Sequence, residues 1–455
     1  MATDFRLFDH HLETVALVDY RREAIVDIKT MLVEIDIFED LFSNTLSASL
    51  VINDANGLIE RFPIVGDEYV IINLKTPTLD ETIDIALKVY KITDRKYTTE
   101  KNQTYTIHLT SDEMTKDMIS VVDEPYTGYA HDVIRNVFKR YFFNPARADN
   151  PEVVTSPAAY IQHDIGVGRQ PLEFINHVAN EAQSIEYPAS NFLFYQDRDN
   201  YNFVTVDELI SREPIDKFYF ADQAVEPDRH VMDADRVEEY QKIIGMSYES
   251  NLDTLRALDE GYYSSSMLTI DPFTKTTSAS TYQYERDFYK TKRLGKYSAV
   301  SERSDYNAAT SVPHEKFIAS RINNNDWISS RITADNDRSR FFPTRRQNFA
   351  LLQQAAFTQL NTARLNVHLS GNSKLKVGDV IQIYIPMVSY DDDYSKIYNL
   401  FFSGDHGGEN SAKFLITSVN NRVNFGANEY TTTLEVVKNA FDEPAISEAE
   451  RFNDF

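Results

Sequence analysis

The chain of 455 residues contains no cysteine. This absence excludes a disulfide framework, a zinc–thiolate site and a thiol nucleophile, so packing and hydrogen bonds must hold the fold together. The sequence also lacks any apolar run near the ~20 residues that span a bilayer. Its polar start, MATDFRLFDHHLE, does not have the pattern of a signal peptide. We therefore expect the chain to fold in the cytosol.

Basic residues are scarce relative to acidic ones. The chain has 46 Lys and Arg against 70 Asp and Glu, and its formal net charge is −24. Nucleic-acid binding normally needs a basic patch, so a surface this acidic repels duplex DNA. The charge balance argues against a nucleic-acid-binding protein, but it is also that of an ordinary soluble acidic protein.

Recognisable catalytic and metal-binding motifs are missing as well. The sequence has no HExxH and no GxSxG pattern, and its ten histidines are scattered. The pair His10-His11 is interpreted as solvated. His108 and His368 fall on the polar faces of alternating strands, which indicates surface or interface residues.

Two polar segments could be mistaken for ligand sites. The glycine-rich GVGRQ at 166–170 follows no clear strand in the sequence, which argues against a phosphate-binding loop. The run Asp391-Asp392-Asp393 lacks the spaced oxygen ligands and terminal glutamate of a calcium loop, so it indicates a solvated insertion. No catalytic, cofactor or metal site is predicted, and the chain is not predicted to be an enzyme.

One pattern of a turn followed by a strand occurs twice in the sequence. Residues 65–74 read VGDEYVIINL and residues 377–386 read VGDVIQIYIP. Glycine takes positive φ without steric cost, and aspartate can hydrogen-bond its own backbone. We therefore predict two strand-initiating turns, built on Gly66 and Asp67 in the first copy and on Gly378 and Asp379 in the second.

The flanks of the two copies are also alike. An alternating strand precedes each copy, LSASLVIND and RLNVHLS, and a hairpin with a polar loop follows each. Within the hairpins we align Ile92-Thr93 with Ile416-Thr417 and Tyr105-Thr106 with Tyr430-Thr431. Such strands close best as small barrels without free edges. The alternative is that any two antiparallel β domains look alike at this level.

Helical spacing appears between the copies. TGYAHDVIRNVFKRYF and PLEFINHVANEAQS each carry one apolar face, and NFLFYQDRDNYNFVTV reads as a hairpin. The predicted fold class is mainly β with α+β: two similar small antiparallel β-barrel domains flanking an α+β domain. The predicted parts are a first barrel (1–113), an α+β domain (114–212), a strand-rich connecting region with a polar insertion that partly joins the second barrel (213–342), a second barrel (343–440) and an acidic C-terminal tail (441–455).

These stretches resemble a known family, the baseplate hub proteins of contractile-tailed phages of the T-even type, which is related to the hub part of type VI secretion spike proteins. The resemblance covers most of residues 30 to 440. It is carried by ASLVINDANGLIERFPIVGDEYVIINL, PLEFINHVANEAQS with the hairpin behind it, KLKVGDVIQIYIP and FLITSVNNRVNFGANEYTTTLEVVKNAF. The chain departs from shorter family members in the polar stretch 296–340 and in the insertion 388–411.

The resemblance implies a structural role. Hub proteins form homotrimers, and two barrels per subunit make a ring of six that adapts a six-fold tail tube to a three-fold spike and lets DNA pass. The implied partners are a separate spike protein and a tube or tube-initiator protein, with tape-measure and wedge proteins as further candidates. The implied location is the virion tail baseplate, assembled in the host cytoplasm. The chain stops about fifteen residues after its last strand, so we expect the spike to be a separate chain.

Two other functions stay open at this point. One is the hub of a phage-tail-like contractile injection or type VI secretion machine. The other is a peptidoglycan hydrolase, against which the absence of a catalytic pattern argues.

Overall fold

The computed structural model describes residues 8–19, 21, 24–62, 64–77, 79–99, 102–144, 150–159, 161–220, 240–251, 254–271, 275–297, 316–322, 346–386, 402–404 and 409–442. Strands dominate these residues, and helices are few and short.

The first β unit is one antiparallel sheet in the order β2-β1-β5-β6-β7-β4-β3. Apolar residues alternate along its strands, and the inward rows form a core of Leu, Ile and Val side chains with Tyr105. Its elements are β1 (His11–Val18), β2 (Ile25–Asp27), a 3₁₀ turn (Lys29–Met31), β3 (Leu32–Asp40), β4 (Ser47–Asp54), α1 (Leu58–Arg61), β5 (Tyr69–Lys75), β6 (Thr82–Tyr97) and β7 (Gln103–Thr110).

An α+β domain follows the first unit. Helices α3 and α4 pack on one face of the β11–β12 hairpin, and the core is rich in aromatic rings. Pro171 occupies the first turn of α4, where its missing N–H leaves no bond unmade. The elements are α2 (Asp112–Ile119), β8 (Pro125–Tyr129), α3 (Ala130–Phe142), β9 (Val153–Thr155), β10 (Ile161–Ile165), α4 (Pro171–Glu181), β11 (Phe192–Gln196), β12 (Tyr201–Thr205) and α5 (Val206–Ile210).

The chain then supplies two strands to the second β unit and makes a small satellite sheet. In the satellite, β15 pairs with β16 and β17, and α8 packs against β15 and β16. The elements are β13 (Asp216–Phe220), β14 (Lys242–Asn251), α6 (Thr254–Glu260), β15 (Ser264–Asp271), β16 (Thr276–Gln283), α7 (Tyr284–Asp287), a 3₁₀ turn (Phe288–Lys290), β17 (Lys316–Ile322), α8 (Arg346–Gln359) and a 3₁₀ turn (Leu360–Thr362).

The second β unit is a closed barrel. Its six strands pair in the ring β13-β14-β18-β22-β21-β19, and β19 pairs back to β13. The new strands are β18 (Ala363–Ser370), β19 (Val380–Pro386), β20 (Ser403–Gly404), β21 (Glu409–Asn424) and β22 (Glu429–Lys438). The predicted fold class, mainly β with barrel-like units and an α+β domain, is confirmed. The boundaries at 113, 212, 342 and 440 stay predictions.

Matching irregularities show that the two β units repeat each other. The bulge of β6 on β7 lies between Val89 and Lys91, and the bulge of β21 on β22 lies between Ile416 and Ser418, 327 positions later. The bulge of β3 on β4 lies between 32 and 34, and that of β14 on β18 between 243 and 245, 211 positions later. β6 therefore corresponds to β21, and β3 corresponds to β14.

These registers correct the alignment of the two hairpins. Val89 faces Leu109 as Ile416 faces Val436, so Ile92 corresponds to Val419 and Tyr105 to Thr432. The alignment of Ile92-Thr93 with Ile416-Thr417 is wrong by three residues, and that of Tyr105-Thr106 with Tyr430-Thr431 is wrong by two. Identical dipeptides misled the comparison because Ile-Thr and Tyr-Thr suit any half-buried strand.

Candidate assembly interface

The two β units are joined edge to edge within one chain. The first half of β21 pairs with β19 inside the barrel, and its second half pairs antiparallel with β3 of the first unit. Ser418 lies opposite Asp40 and Asn424 lies opposite Glu34, so seven residues continue the sheet from one unit into the next. The chain thus contains one example of how two such units associate.

An ion-pair cluster spans this junction. Arg422 on β21 contacts the carboxylate of Glu34 and lies 3.8 Å from that of Asp36, both on β3. Burial and the neighbouring Glu34 carboxylate together raise the pKa of Asp36 to about 6, against the opposing effect of Arg422. The guanidinium therefore offsets the repulsion between two carboxylates on the same strand face.

The outward face of the joined sheet is polar. Registers place the outward side chains of β7, β4, β3, β21, β22 and β18 side by side, and most are Ser, Thr, Asn, Asp or Glu. They are Glu34, Asp36, Asp40, Ser47, Ser49, Asn53, Thr104, Thr106, Asn366, Ser418, Asn420, Asn424, Thr431, Thr433 and Glu435. We call this set the polar sheet face.

The arginines on the polar sheet face are neutralised locally. Arg364 lies 3.2 Å from the Glu435 carboxylate, and Arg422 contacts Glu34 and Asp36. Two histidines on the same face bond to threonine, His108 to Thr93 at 2.8 Å and His368 to Thr433 at 3.1 Å. The prediction that both histidines lie on polar strand faces is confirmed. In the described part of this face, carboxylates outnumber guanidinium groups, which disfavours contact with phosphates.

One buried arginine of the α+β domain contacts both β units. Arg198, in the β11–β12 turn, is 8% exposed. Its Nη1 donates to the Ser373 carbonyl at 2.6 Å, its Nη2 donates to the Leu375 carbonyl, and its Nε lies 3.6 Å from Oε1 of Glu39 on β3. One side chain therefore connects the hairpin, the first β unit and the loop that leads into the second.

Glu39 is the buried partner of that arginine. Burial raises the pKa of Glu39 to about 7, with Arg198 lowering it, Asp197 raising it and Lys376 lowering it more weakly. Its carboxylate is fully buried, so its charge depends on the guanidinium beside it. Sequence reasoning missed both residues, although Glu39 shares the inward parity of Ile35 and Ile37, which was a usable signal.

Further hydrogen bonds connect the α+β domain to the first β unit. Asn44 donates to the Phe194 carbonyl at 2.6 Å, and the Gln196 side chain accepts from the Leu46 N–H at 3.0 Å and from the Ser111 hydroxyl at 2.6 Å. These bonds fix the hairpin relative to β3 and β4.

The two repeated turns are stabilised by different side-chain interactions. Gly66 has φ +100° and Gly378 has φ +83°, both in the left-handed region. Asp379 accepts a bond from the Lys376 N–H at 3.1 Å, so it caps its own turn. Asp67 instead forms an ion pair with Lys88 at 2.9 Å.

Glu68 holds the first turn in place of Asp67. Its carboxylate accepts from the N–H groups of Val65, Gly66 and Asp67. The expectation for Asp67 is therefore wrong. Glu68 is the counterpart of Asp379, since the Val89 N–H donates to the Glu68 carbonyl as the Ile416 N–H donates to the Asp379 carbonyl. The first copy has one extra residue between Gly66 and Glu68, because Val70 corresponds to Ile381, three positions after Gly378 but four after Gly66.

The loop 166–170 does follow a strand, contrary to the sequence interpretation. β10 ends at Ile165 and α4 begins at Pro171. Two of its N–H groups are already bonded within the protein, since the Gly168 N–H donates to the Val122 carbonyl and the Arg169 N–H donates to the Gly166 carbonyl. A Cβ on Gly166 would lie 2.7 Å from Phe174, so this glycine serves close packing.

The remaining residues that the sequence offered as candidate metal ligands are not brought together into a site in the described part of the chain. His10 is not solvated: its ring packs edge-to-face on Phe425 at 5.4 Å, and burial lowers its pKa. His11 is exposed, and Asp391-Asp392-Asp393 lies outside the described residues. Among the residues that the structure describes, no group of three or more His, Asp or Glu side chains is placed to hold a metal. No described helix is long and apolar enough to cross a membrane.

Comparison with solved structures shows which known proteins have a similar fold. The tail protein from Neisseria meningitidis MC58 matches with a TM-score of 0.53 at 11% identity, over 95% of this chain and 97% of that one. The 43 kDa tail protein of prophage MuSo2 from Shewanella oneidensis matches with a TM-score of 0.51 at 10% identity, over 94% and 99%. No family model matches the chain, and no curated protein matches it at a significant level. The chain therefore has the fold of phage tail proteins.

Proposed function

We propose that the chain is the structural hub of a phage-tail baseplate. Three copies form a ring of six similar β units, which adapts a six-fold tail tube to a three-fold spike and lets DNA pass. The observation that carries the proposal is the pair of matching units joined edge to edge by β21 and β3. Two equivalent units per chain turn three-fold symmetry into near six-fold symmetry.

The polar sheet face supports a conduit. We place it toward the ring axis, where paired arginines and a surplus of carboxylates would let DNA slide without sticking. The role needs no catalysis, cofactor or metal. The partners are two further copies, a separate spike and a tube or tube-initiator protein, with tape-measure and wedge proteins beside them, in a virion tail that assembles in the host cytoplasm.

Light scattering on the purified protein tests the proposal. We expect a particle of about three times the 52.4 kDa chain mass, alone or with the cognate spike bound. A stable monomer under both conditions would contradict the hub function.

A further inference from the structure

One dipeptide of the first β unit has a chemical reactivity that the proposed function does not use. Asn56-Gly57 lies in the turn between β4 and α1, and it is the single Asn-Gly step in the 455 residues. Asparagine is among the least heat-stable residues, and a following glycine leaves the peptide nitrogen unshielded because glycine has no Cβ. This step therefore has the least steric protection against deamidation in the chain.

The structure presents both reacting groups of this step. The Asn56 side chain is exposed, and none of the described residues accepts a hydrogen bond from the Gly57 N–H. The N–H groups on either side are held by Asp54: Asn56 donates to its Oδ1 at 2.9 Å, and Leu58 donates to its Oδ2 at 2.7 Å. The Gly57 nitrogen, at the centre of the turn, is therefore the one that is available to react.

We propose that Asn56 is a site of spontaneous deamidation through Gly57. The Gly57 nitrogen gives up its proton and bonds to Cγ of Asn56, whose side-chain nitrogen leaves as ammonia, so that a cyclic imide forms. One water molecule then adds to either imide carbonyl and opens the ring. The product is aspartate or isoaspartate at position 56. The net reaction consumes one water, releases one ammonia and needs no other reactant.

The isoaspartate product disturbs the buried side of the turn. Its main chain runs through the former side chain and gains one methylene group, which changes the spacing between Asp54 and Leu58. Asp54 is fully buried, and its bond to the Leu58 N–H satisfies one of the first N–H groups of α1. Leu58 also packs in the core of the first β unit. The longer main chain must therefore break this bond or move a core side chain.

Both products also add a negative charge beside existing carboxylates. Position 56 adjoins Asp54 through its own N–H bond. Glu60 is close as well, since the Gln103 side chain donates to Asp54 and to Glu60 at 3.1 Å each. Arg95 pairs with Glu60 at 2.7 Å and is the described cation of this group. A third carboxylate raises the repulsion within the group and so destabilises the folded first unit.

Peptide mapping by mass spectrometry, after incubation of the intact protein at pH 8, tests the proposal. We expect the peptide with Asn56 to convert from amide to acid several-fold faster than any other asparagine, and isoaspartyl methyltransferase to label it. Asn372 is the internal comparison, because it is buried and its Oδ1 accepts from the Lys374 N–H. The conversion should be slower at pH 6, since the attacking nitrogen reacts after losing its proton.

Asn56→Ser is the matched control for the effect on stability. Serine cannot form the imide, and the substitution keeps the main-chain bond to Asp54. After equal incubation, the parent protein should show a second thermal transition below the original one, and Asn56→Ser should keep its original melting curve.

The readouts separate the reaction from its consequence. Conversion of Asn56 no faster than that of Asn372 would overturn the proposed site. Conversion that leaves the melting curve unchanged would overturn the proposed destabilisation, as would an equal loss in Asn56→Ser. None of these readouts depends on the oligomeric state, so the hub function is tested separately.

Discussion

Replacing Arg198 by methionine should separate the α+β domain from the two β units, and the loss should depend on pH. Methionine keeps much of the buried length but removes the charge and the donors to Ser373 and Leu375. Two buried carbonyls then lose a charged donor, which costs about 2–4 kcal/mol of unfolding free energy. Glu39 also loses the cation that lowers its pKa.

The pH dependence follows from the sign of the Glu39 shift. Its pKa is about 7 in the fold against an ordinary value of 4.5, so its protonated form is favoured on folding. The associated stability is fully present below pH 4.5 and is lost as the pH rises to about 7, a change of about 3 kcal/mol. Without Arg198 the pKa moves higher, so the loss continues above pH 7. The variant should therefore lose about 1 kcal/mol more at pH 8 than at pH 5.5, because one pH unit above the parent pKa of about 7 corresponds to about 1.4 kcal/mol at most.

Urea denaturation of the parent and variant at pH 5.5, 7 and 8 measures these differences. Glu39→Gln combined with Arg198→Met is the control, because it removes the titrating group and should abolish the extra loss at pH 8. An Arg198→Met loss that is the same at all three values would refute the buried-pair reasoning. So would a loss below about 1 kcal/mol, the level of an exposed ion pair.

Three further predictions concern the repeated turns and the polar sheet face. Gly378→Ala should destabilise the chain more than Gly66→Ala in thermal melts. Both glycines have positive φ, which costs about 1–3 kcal/mol for another residue. Only at Gly378 would the added Cβ also meet a side chain, at 2.5 Å from the Tyr195 hydroxyl. Equal losses would mean that packing at Gly378 adds nothing. Arg422→Gln should cost less than about 1 kcal/mol of unfolding free energy, because the arginine is half exposed. The cost should be larger at pH 8 than at pH 5, since removing the cation raises the pKa of Asp36 above about 6. Urea denaturation at the two pH values measures this difference, and a larger cost at pH 5 would contradict the prediction. The assembled protein should show no duplex-DNA binding at ~150 mM salt and at most weak binding at ~20 mM by fluorescence anisotropy, whereas micromolar, salt-sensitive binding would contradict the conduit role.

Local periodicity sufficed for much of the fold. The hairpin β6–β7 and the helices α3 and α4 could be predicted because each buries one regular face whose spacing is visible in a short window. The repeat itself could be predicted from two copies of one turn. Its true register could not, because the Ile-Thr and Tyr-Thr dipeptides, which suit any half-buried strand, occur at non-equivalent positions in the two copies.

Long-range closure was beyond local patterns. β13 and β14 complete the second barrel from far upstream, and β3 pairs with β21 across most of the chain. Arg198 sits in an Asp-Arg-Asp-Asn turn of the kind that is usually exposed, so nothing in its surroundings indicated burial. Its role depends on three units meeting, which only the tertiary structure specifies.

The central claim is that each chain supplies two of six equivalent units in a closed ring. Electron microscopy of the purified oligomer, viewed along its axis, tests this most directly. The account predicts a ring of six similar lobes around an open channel, with exact repetition after every second lobe. An open chain of lobes, a closed ring of another number, or a particle without a channel would contradict it.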